Sequence, residues 1–422
     1  MSIFGGVVSI SSITFLMFAI MIIATLGYLL GRITIKGVSL GTAGVFIVAL
    51  VFGALFSGAI SKALVVSEVS YDTQALKIIE NIGLIFFVTS VGFIAGPNFF
   101  KNLKKNFKSY ILLGVVIILA GSLTCVACFY IGKGSEPDQT TFIAMLDGIL
   151  SGALTSTPAF SAAKSTVENL FGADPAASAS YEAAVTVGHG IAYLFGVVGV
   201  VLFVQIIPKF AKANMDEERA KLTSVDLGER KKYEGKLVNI DPIGIAAFAL
   251  AAFVGIFVGS IKVPLTAQGL SGNTFSLTTT GGALITALVF GHFGHFGPVN
   301  VTPNKKMLEV LRELGLMLFL IGAGVAGGAK FVQYFRAVYF LYGIAMTLVP
   351  LIVGYFFAKY VLKLSLLNNL GSITGGMTST PALGTLISVS GTDEVASAYA
   401  ATYPIALLAV VLVSQFLLVI FG

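Results

Sequence analysis

Gly152-Ala153-Leu154-Thr155-Ser156-Thr157-Pro158-Ala159 recurs almost unchanged as Gly375-Gly376-Met377-Thr378-Ser379-Thr380-Pro381-Ala382. Each copy sits inside an apolar, membrane-type half of the chain. Hydroxyl side chains followed by proline break a helix, and backbone that leaves the helix in lipid must find partners or it costs several kcal/mol per group. Such backbone is tolerated only when buried in protein or facing a wet cavity. Polar, proline-broken segments at matching places in two halves are the sequence mark of a transporter's substrate site.

The rest of the sequence fits a membrane setting. Of 422 residues 56% are hydrophobic and only 11% charged, with a mean hydropathy of +0.94. A soluble domain carries about 25% charged residues. Apolar stretches of about 20 residues, the length of a bilayer crossing, recur along most of the chain. The first, roughly 13–30, follows a segment without Lys or Arg, so it reads as a retained transmembrane helix and not a secretory signal. The net charge of +6 resides between spans and carries no nucleic-acid signal. Cys125 and Cys128 form a lone C-x-x-C in an apolar run with no second pair and no neighbouring His, so they read as small buried side chains; no metal or cofactor site is expected. H-E-x-x-H, G-x-S-x-G and Walker A sequences are absent. The chain reads as no enzyme, and with no nucleotide site transport must be secondary or passive.

The duplication extends well beyond the opening motif. Ala49-Leu50-Val51-Phe52-Gly53 reappears as Ala287-Leu288-Val289-Phe290-Gly291, and Gly83-Leu84, Phe87, Gly92, Gly96 and Phe99 match Gly315-Leu316, Phe319, Gly324, Gly328 and Phe331. Tyr181 is matched to Tyr399. The drifting offset implies one element order with shorter loops in the second copy. The expected divisions are a first membrane repeat over 1–207, a charged linker over 208–241 and a second repeat over 242–422. Predicted spans are 13–31, 40–58, 79–96, 109–132 and 181–206, then 242–260, 280–297, 312–329, 337–358 and 398–421. Broken segments at 140–178 and 366–395 are each long enough to enter the bilayer and return. The linker holds eight Lys/Arg and seven Asp/Glu and reads as solvated linker and surface helix.

Charge decides the expected topology. With both broken segments re-entrant and five crossings per half, an extracytoplasmic N-terminus places 19 of the 26 basic residues on the cytoplasmic side, among them Lys36, Lys101, Lys104, Lys105 and the linker residues. The positive-inside rule favours this over its reverse. Five is odd, so the second repeat is inverted relative to the first. The expected fold is an all-α polytopic membrane protein of two inverted repeats, each with five transmembrane helices and one re-entrant helical hairpin.

At the tips, Thr157-Pro158 and Thr380-Pro381 fit helix starts, with Thr as N-cap and Pro in the first helical position. The following residues, Ala159-Phe160-Ser161 and Ala382-Leu383-Gly384, would then offer N–H groups at a helix end that favours anions. Thr155, Ser156, Thr157, Thr378, Ser379 and Thr380 add hydroxyls. Gly148-xxx-Gly152 and Gly371-xxx-Gly375 are expected to let the hairpin arms approach closely. The candidate substrate site is therefore Thr155, Ser156, Thr157, Pro158 and Ala159 with Thr378, Ser379, Thr380, Pro381 and Ala382. The plain alternative, two Pro-kinked helices, suits a single motif better than a duplicated one. His189 and Lys164 are further candidates for substrate or proton contact, against a core histidine and a solvated hairpin-end lysine. Asp147 opens the first hairpin as a cap or ion ligand. His292 and His295 are assigned to a loop.

Residues 83–100, 314–328, 152–159 with its repeat, and 291–298 together resemble the aspartate:alanine exchanger family. The resemblance implies a secondary transporter of amino acids or small carboxylates in the bacterial inner membrane, with extracytoplasmic termini and a cytoplasmic central loop. Many members carry paired regulatory domains in that loop, and 208–241 is too short for them. The resulting expectation is exchange of a small anionic or zwitterionic substrate by alternating access, in a homodimer formed by analogy. A sodium- or proton-coupled symporter and an anion channel are the alternatives.

Overall fold

The computed structural model describes residues 2–3, 8–9, 12–35, 38–39, 41–66, 69–97, 107–135, 137–222, 237–264, 269, 274–392 and 394–422. Lys36, Lys101, Lys104, Lys105 and linker residues 223–236 lie outside the described residues. The protein is an all-α polytopic membrane protein. Among the described residues, eight helices are long and apolar enough to cross a bilayer: 12–31, 44–63, 72–95, 108–132, 175–210, 305–328, 337–361 and 395–421. Two expected spans are shorter, Ile245–Gly259 at 15 residues and Thr278–Phe293 at 16. At 1.5 Å per residue, 15 residues cover about 23 Å of a hydrocarbon layer about 30 Å thick.

We number the helices α1 (Ser12–Gly31), α2 (Ala43–Ala63), α3 (Asp72–Ala95), α4 (Leu112–Gly132), α5 (Gln139–Ala153), α6 (Thr157–Phe171), α7 (Pro175–Phe210), α8 (Met215–Ala220), α9 (Ile245–Gly259), α10 (Thr278–Phe293), α11 (Lys305–Gly328), α12 (Phe331–Tyr334), α13 (Ala337–Phe356), α14 (Leu366–Gly376), α15 (Thr380–Ser390) and α16 (Val395–Phe421). The chain forms two compact units, each drawing on both sequence halves: Met1–Phe87 with Val310–Phe335, and Val88–Glu309 with Arg336–Gly422.

In the first unit small residues let backbones touch, the usual device where lipid supplies no hydrophobic drive between helices. A Cβ placed on Gly27 of α1 would lie 2.4 Å from Val45 Cα of α2. Gly83 of α3 and Gly315 of α11 meet reciprocally. A Cβ on either would fall 2.6 Å from the other's carbonyl oxygen, and 2.4 Å from the nitrogen of Phe319 or Phe87, respectively. Each glycine sits over the turn that begins at the other, which requires the two helices to run antiparallel. Gly324 packs on Ala49, whose Cβ would be 2.6 Å from an added Cβ, and Gly328 packs on Leu50, whose carbonyl oxygen would be 2.1 Å from one. The second unit contains the repeat counterparts of this pair: an added Cβ would fall 2.6 Å from Ala287 Cβ at Gly92 and 2.7 Å from the Leu288 carbonyl oxygen at Gly96. The repeated sequence thus makes repeated contacts.

The second unit holds both hairpins. Gly148 and Gly152 of α5 do not face the second arm α6 as expected; added Cβ atoms would meet the carbonyl oxygens of Val185 at 2.1 Å and His189 at 2.6 Å, both on α7. Gly371 and Gly375 of α14 face α16 in the same way, where added Cβ atoms would fall 2.6 Å from the Val395 and Tyr399 carbonyl oxygens. The glycines pack each hairpin on the helix that follows it. This contact also shifts the sequence match: Tyr399 stands against Gly375 where His189, not Tyr181, stands against Gly152. Helix α7 carries extra turns at its start, 36 residues against 27 in α16.

The linker helix α8 is started by Asn214, which accepts from the Asp216 N–H, and by three acidic residues in its first turn. It grips the base of the second hairpin. Arg219 Nη1 donates to the Ser390 carbonyl at the end of α15 (2.6 Å), and Glu218 Oε2 accepts from the Leu366 N–H at the start of α14 (3.3 Å). Arg219 is also paired with Asp216.

Candidate functional site: the meeting hairpin tips

Both broken segments are interrupted helices. The first hairpin leaves the helix at Leu154 and re-enters at Thr157; the second leaves at Met377 and re-enters at Thr380. The turns use Thr155 at φ 53° and Thr378 at φ 50°, the left-handed region that β-branched residues seldom occupy. Thr155 N–H donates to the Gly152 carbonyl (2.9 Å) and Thr378 N–H to the Gly375 carbonyl (3.1 Å). Backbone strain of order 1–3 kcal/mol persists where the surroundings hold it. Here the other hairpin does so. Thr155 Oγ1 donates to the Met377 carbonyl at 2.9 Å, and Thr378 Oγ1 donates to the Leu154 carbonyl at 3.0 Å. The two tips are therefore tied to each other through a matched pair of bonds, and the orphan carbonyls at the ends of α5 and α14 are partly satisfied by them.

The caps fall one residue earlier than expected. Ser156 and Ser379 hold the N-cap positions with extended backbone, and Thr157 and Thr380 are the first helical residues, followed by Pro158 and Pro381. From this point the tips differ. Ser156 Oγ accepts from the Ala159 N–H (3.3 Å), and Thr157, Pro158 and Ala159 are all buried. Ser379 Oγ is equally buried but has no hydrogen-bond partner, while Thr380 and Pro381 are exposed and Ala382 is buried. A Cβ on Gly384, on the second turn of α15, would meet nothing within 4 Å. The first helix start is sealed in protein; the second adjoins open space.

Two aromatic residues, one on each following helix, reach the tips. His189 Nδ1 lies 2.8 Å from Ser151 Oγ, and its ring stacks on Phe160 with centroids 4.2 Å apart. Tyr399, its positional counterpart, has its hydroxyl 3.3 Å from Thr380 Oγ1. Lys164 is buried on α6, not solvated at a hairpin end, and its Nζ is 3.6 Å from Glu182 Oε2 of α7. Asp147 does not open the first hairpin: Asp138 caps α5, and Asp147 is fully buried two turns in. Cys125 and Cys128 are buried free thiols. His295 follows α10 in a tight turn, with Nδ1 3.1 Å from the Gly297 carbonyl, and His292 lies in the last turn of α10 itself, so the expected loop holds for His295 alone. Ser414 and Thr347 were passed over in the sequence. Ser414-Gln415 is a polar pair deep in an apolar span, a signal that was available. Thr347, whose hydroxyl reaches the Ala153 carbonyl at 3.3 Å, gave none.

A family model described as a predicted permease membrane region matches residues 19–209 and 247–419, which contain both tips and omit the linker core. The chain belongs to the Asp-Al_Ex family. It is similar to an uncharacterized transporter of Bacteroides fragilis (strain YCH46), 26% identical over 94% of this chain and 97% of the relative. Another, from Desulfotalea psychrophila (strain LSv54 / DSM 12343), is 25% identical over 96% of each chain. Those alignments run over 555 and 560 positions, more than the 422 residues of the chain, so these relatives carry segments it lacks. A Bacteroides thetaiotaomicron transporter is 34% identical over 47% of this chain and 31% of its own length. Family and helices together make the protein a multi-pass membrane transport protein.

Proposed function

We propose that the protein is a secondary active transporter that exchanges small carboxylates or amino acids by alternating access, with the substrate held at the hairpin tips. The observation that carries this is the second helix start: a buried, unbonded Ser379 hydroxyl beside exposed Thr380, at the positive end of α15. A carboxylate placed there would accept from Ser379 and from N–H groups of the first turn. Thr155 and Thr378 spend their hydroxyls on the opposite hairpin, so their part is to hold the tips in place. The candidate set then divides into direct contacts around Ser379, Thr380, Pro381 and Ala382, a mirrored wall at Ser156, Thr157, Pro158 and Ala159, and two positioning threonines.

An inverted arrangement of the repeats is supported by the antiparallel approach of α3 and α11, the third spans of the two halves. A cytoplasmic linker is supported by its basic residues and by the grip of α8 on the base of the second hairpin. In this reading the protein lies in a bacterial inner membrane with extracytoplasmic termini and works as a homodimer.

The test is counterflow of labelled aspartate, alanine and succinate in proteoliposomes. Ser379→Ala and Thr380→Val are expected to raise the half-saturating concentration about tenfold, the loss of one hydrogen bond to a charged group. Unchanged saturation in both variants would remove the second tip from substrate contact. Conductance without saturable counterflow would favour a channel.

A further inference from the structure

Asp147 lies in the middle of α5 and is fully buried. Its Oδ2 is 2.7 Å from Ser414 Oγ of α16, and Oδ1 has no hydrogen-bond partner. Ser414 Oγ is also 3.2 Å from the Ala159 carbonyl, in the first turn of α6. A serine hydroxyl has one proton to donate. If Asp147 is ionised, that proton serves either the carboxylate or the carbonyl, and a buried anion is left with at most one donor. Such a group is expensive to bury. If Asp147 is protonated, it donates to Ser414, Ser414 donates to the Ala159 carbonyl, and both contacts are satisfied at once.

The neighbouring helices supply no compensating cation. Cys125 of α4 is in electrostatic reach of the carboxyl. His189 of α7 is held by Ser151, one turn further along α5, and Lys164 of α6 is paired with Glu182 of α7. Helix α13 presents Tyr339 beside Phe142, and α16 has no titratable side chain between Leu407 and Phe421.

We propose that Asp147 is the proton-carrying group of the transporter: protonated in this conformation, wired through Ser414 to the first hairpin tip, and able to release its proton to water only when that hairpin moves. The inference rests on the transport reading above and adds its coupling ion. Release breaks the carboxyl O–H bond, passes the proton to water and leaves a carboxylate. That carboxylate needs donors which the packing around α5 and α16 does not provide. Proton loss and the closed packing therefore exclude each other, which is the condition for coupling.

The first test needs no substrate. Infrared spectra of the full chain in lipid, titrated with pH, are expected to show a protonated-carboxyl band at neutral pH. The band should be lost in Asp147→Asn and shifted in Ser414→Ala, which keeps the carboxyl and removes its partner. A spectrum identical in wild type and Asp147→Asn would overturn the proposal. The second test is proteoliposome uptake of aspartate, alanine and succinate across pH. Wild-type uptake should fall about tenfold per pH unit on the alkaline limb, as for a single required proton, and Asp147→Asn should be flat. A sodium requirement with no pH response would overturn proton coupling. A wild type that titrates in the infrared but transports none of the three probes supports the protonated site and defeats the substrate assignment instead.

Discussion

Thr155 and Thr378 hold each other's hairpin. Each occupies a left-handed backbone position and sends its hydroxyl to a carbonyl of the opposite tip, at 2.9 and 3.0 Å. Valine at either place keeps the β-branched strain and loses the bond, whereas glycine loses the bond and relieves the strain. The Gly variants are expected to be more stable than the Val variants, and the Val variants lower than wild type by about 1 kcal/mol each. The two sites bridge one junction, so their effects should be non-additive by about 0.5 kcal/mol or more in a double-mutant cycle. Thermal unfolding in detergent reads both quantities. Strict additivity would mean that the tips do not depend on each other.

Lys164, buried on α6, and Glu182, partly buried on α7, pair at 3.6 Å. Removing Lys164 leaves Glu182 with Ser178 but without its cation, and Lys164→Met is expected to destabilise by about 1–3 kcal/mol. Lys164→Met with Glu182→Gln removes both charges and should recover most of that loss. If the double variant is stable and still transports, Lys164 has a structural part and no direct role in binding substrate. Recovery of stability without transport would assign it to the substrate.

Much of this architecture could be read before any coordinates. The duplicated segment around Pro158 and Pro381 was visible because a polar, proline-broken run in an apolar setting has few structural solutions, and two copies multiply the constraint. The repeat pairs Gly83/Gly315 and Gly92/Gly324 were visible because close helix contact admits only small residues. The partner of each glycine was not, because spacing along one helix says nothing about which neighbour it faces. Gly152 therefore seemed to serve its own hairpin and in fact serves α7. The match of Tyr399 to Tyr181 failed for a related reason: α7 has extra turns at its start, and residue identity is a poor guide to register where lengths differ. The junction of Asp147 with Ser414 joins residues 267 positions apart, and neither has a counterpart in the other repeat to signal it.

Two glycines in the hairpins make a direct contrast. A Cβ on Gly148 would fall 2.1 Å from the Val185 carbonyl oxygen, a backbone atom that cannot turn aside, while one on Gly384 would meet open space. Gly148→Ala must separate α5 from α7 and is expected to cost about 3 kcal/mol, the upper end for overpacking. Gly384→Ala should be neutral or stabilise the exposed turn of α15 by about 0.5–1 kcal/mol through helix propensity. The comparison is of folded yield and melting temperature in one detergent. Because Gly384 lies one turn beyond Thr380, a rise in half-saturating substrate concentration in the stable Gly384→Ala variant would place the substrate against that open space.

Asp241 supplies a pH-dependent element outside the membrane-spanning helices. Its carboxylate accepts from the N–H groups of Ala246 (2.8 Å), Gly244 (2.6 Å), Ile245 (3.0 Å) and Ile243 (3.0 Å) at the start of α9. These bonds, led by that of Ala246, hold its carboxyl below the ordinary carboxylate range. A group whose folded pKa is depressed contributes stability above its unfolded pKa, about 3.9 for aspartate, and loses it as pH falls through the folded value. Asp241→Asn keeps the shape of the side chain but not its charge or its capacity for four donors. The melting temperature of wild type should exceed that of the variant by a constant margin from neutral pH down to about pH 4, and the margin should close at more acid pH. A margin that grew on acidification would have the wrong sign for a carboxylate cap. Gly244 makes the cap possible, since it turns the chain at φ 88° with its Cα hydrogen toward Pro303. A Cβ there would lie 2.5 Å from Pro303 Cα, so Gly244→Ala should lower stability at every pH, distinguishing loss of the turn from loss of the charge.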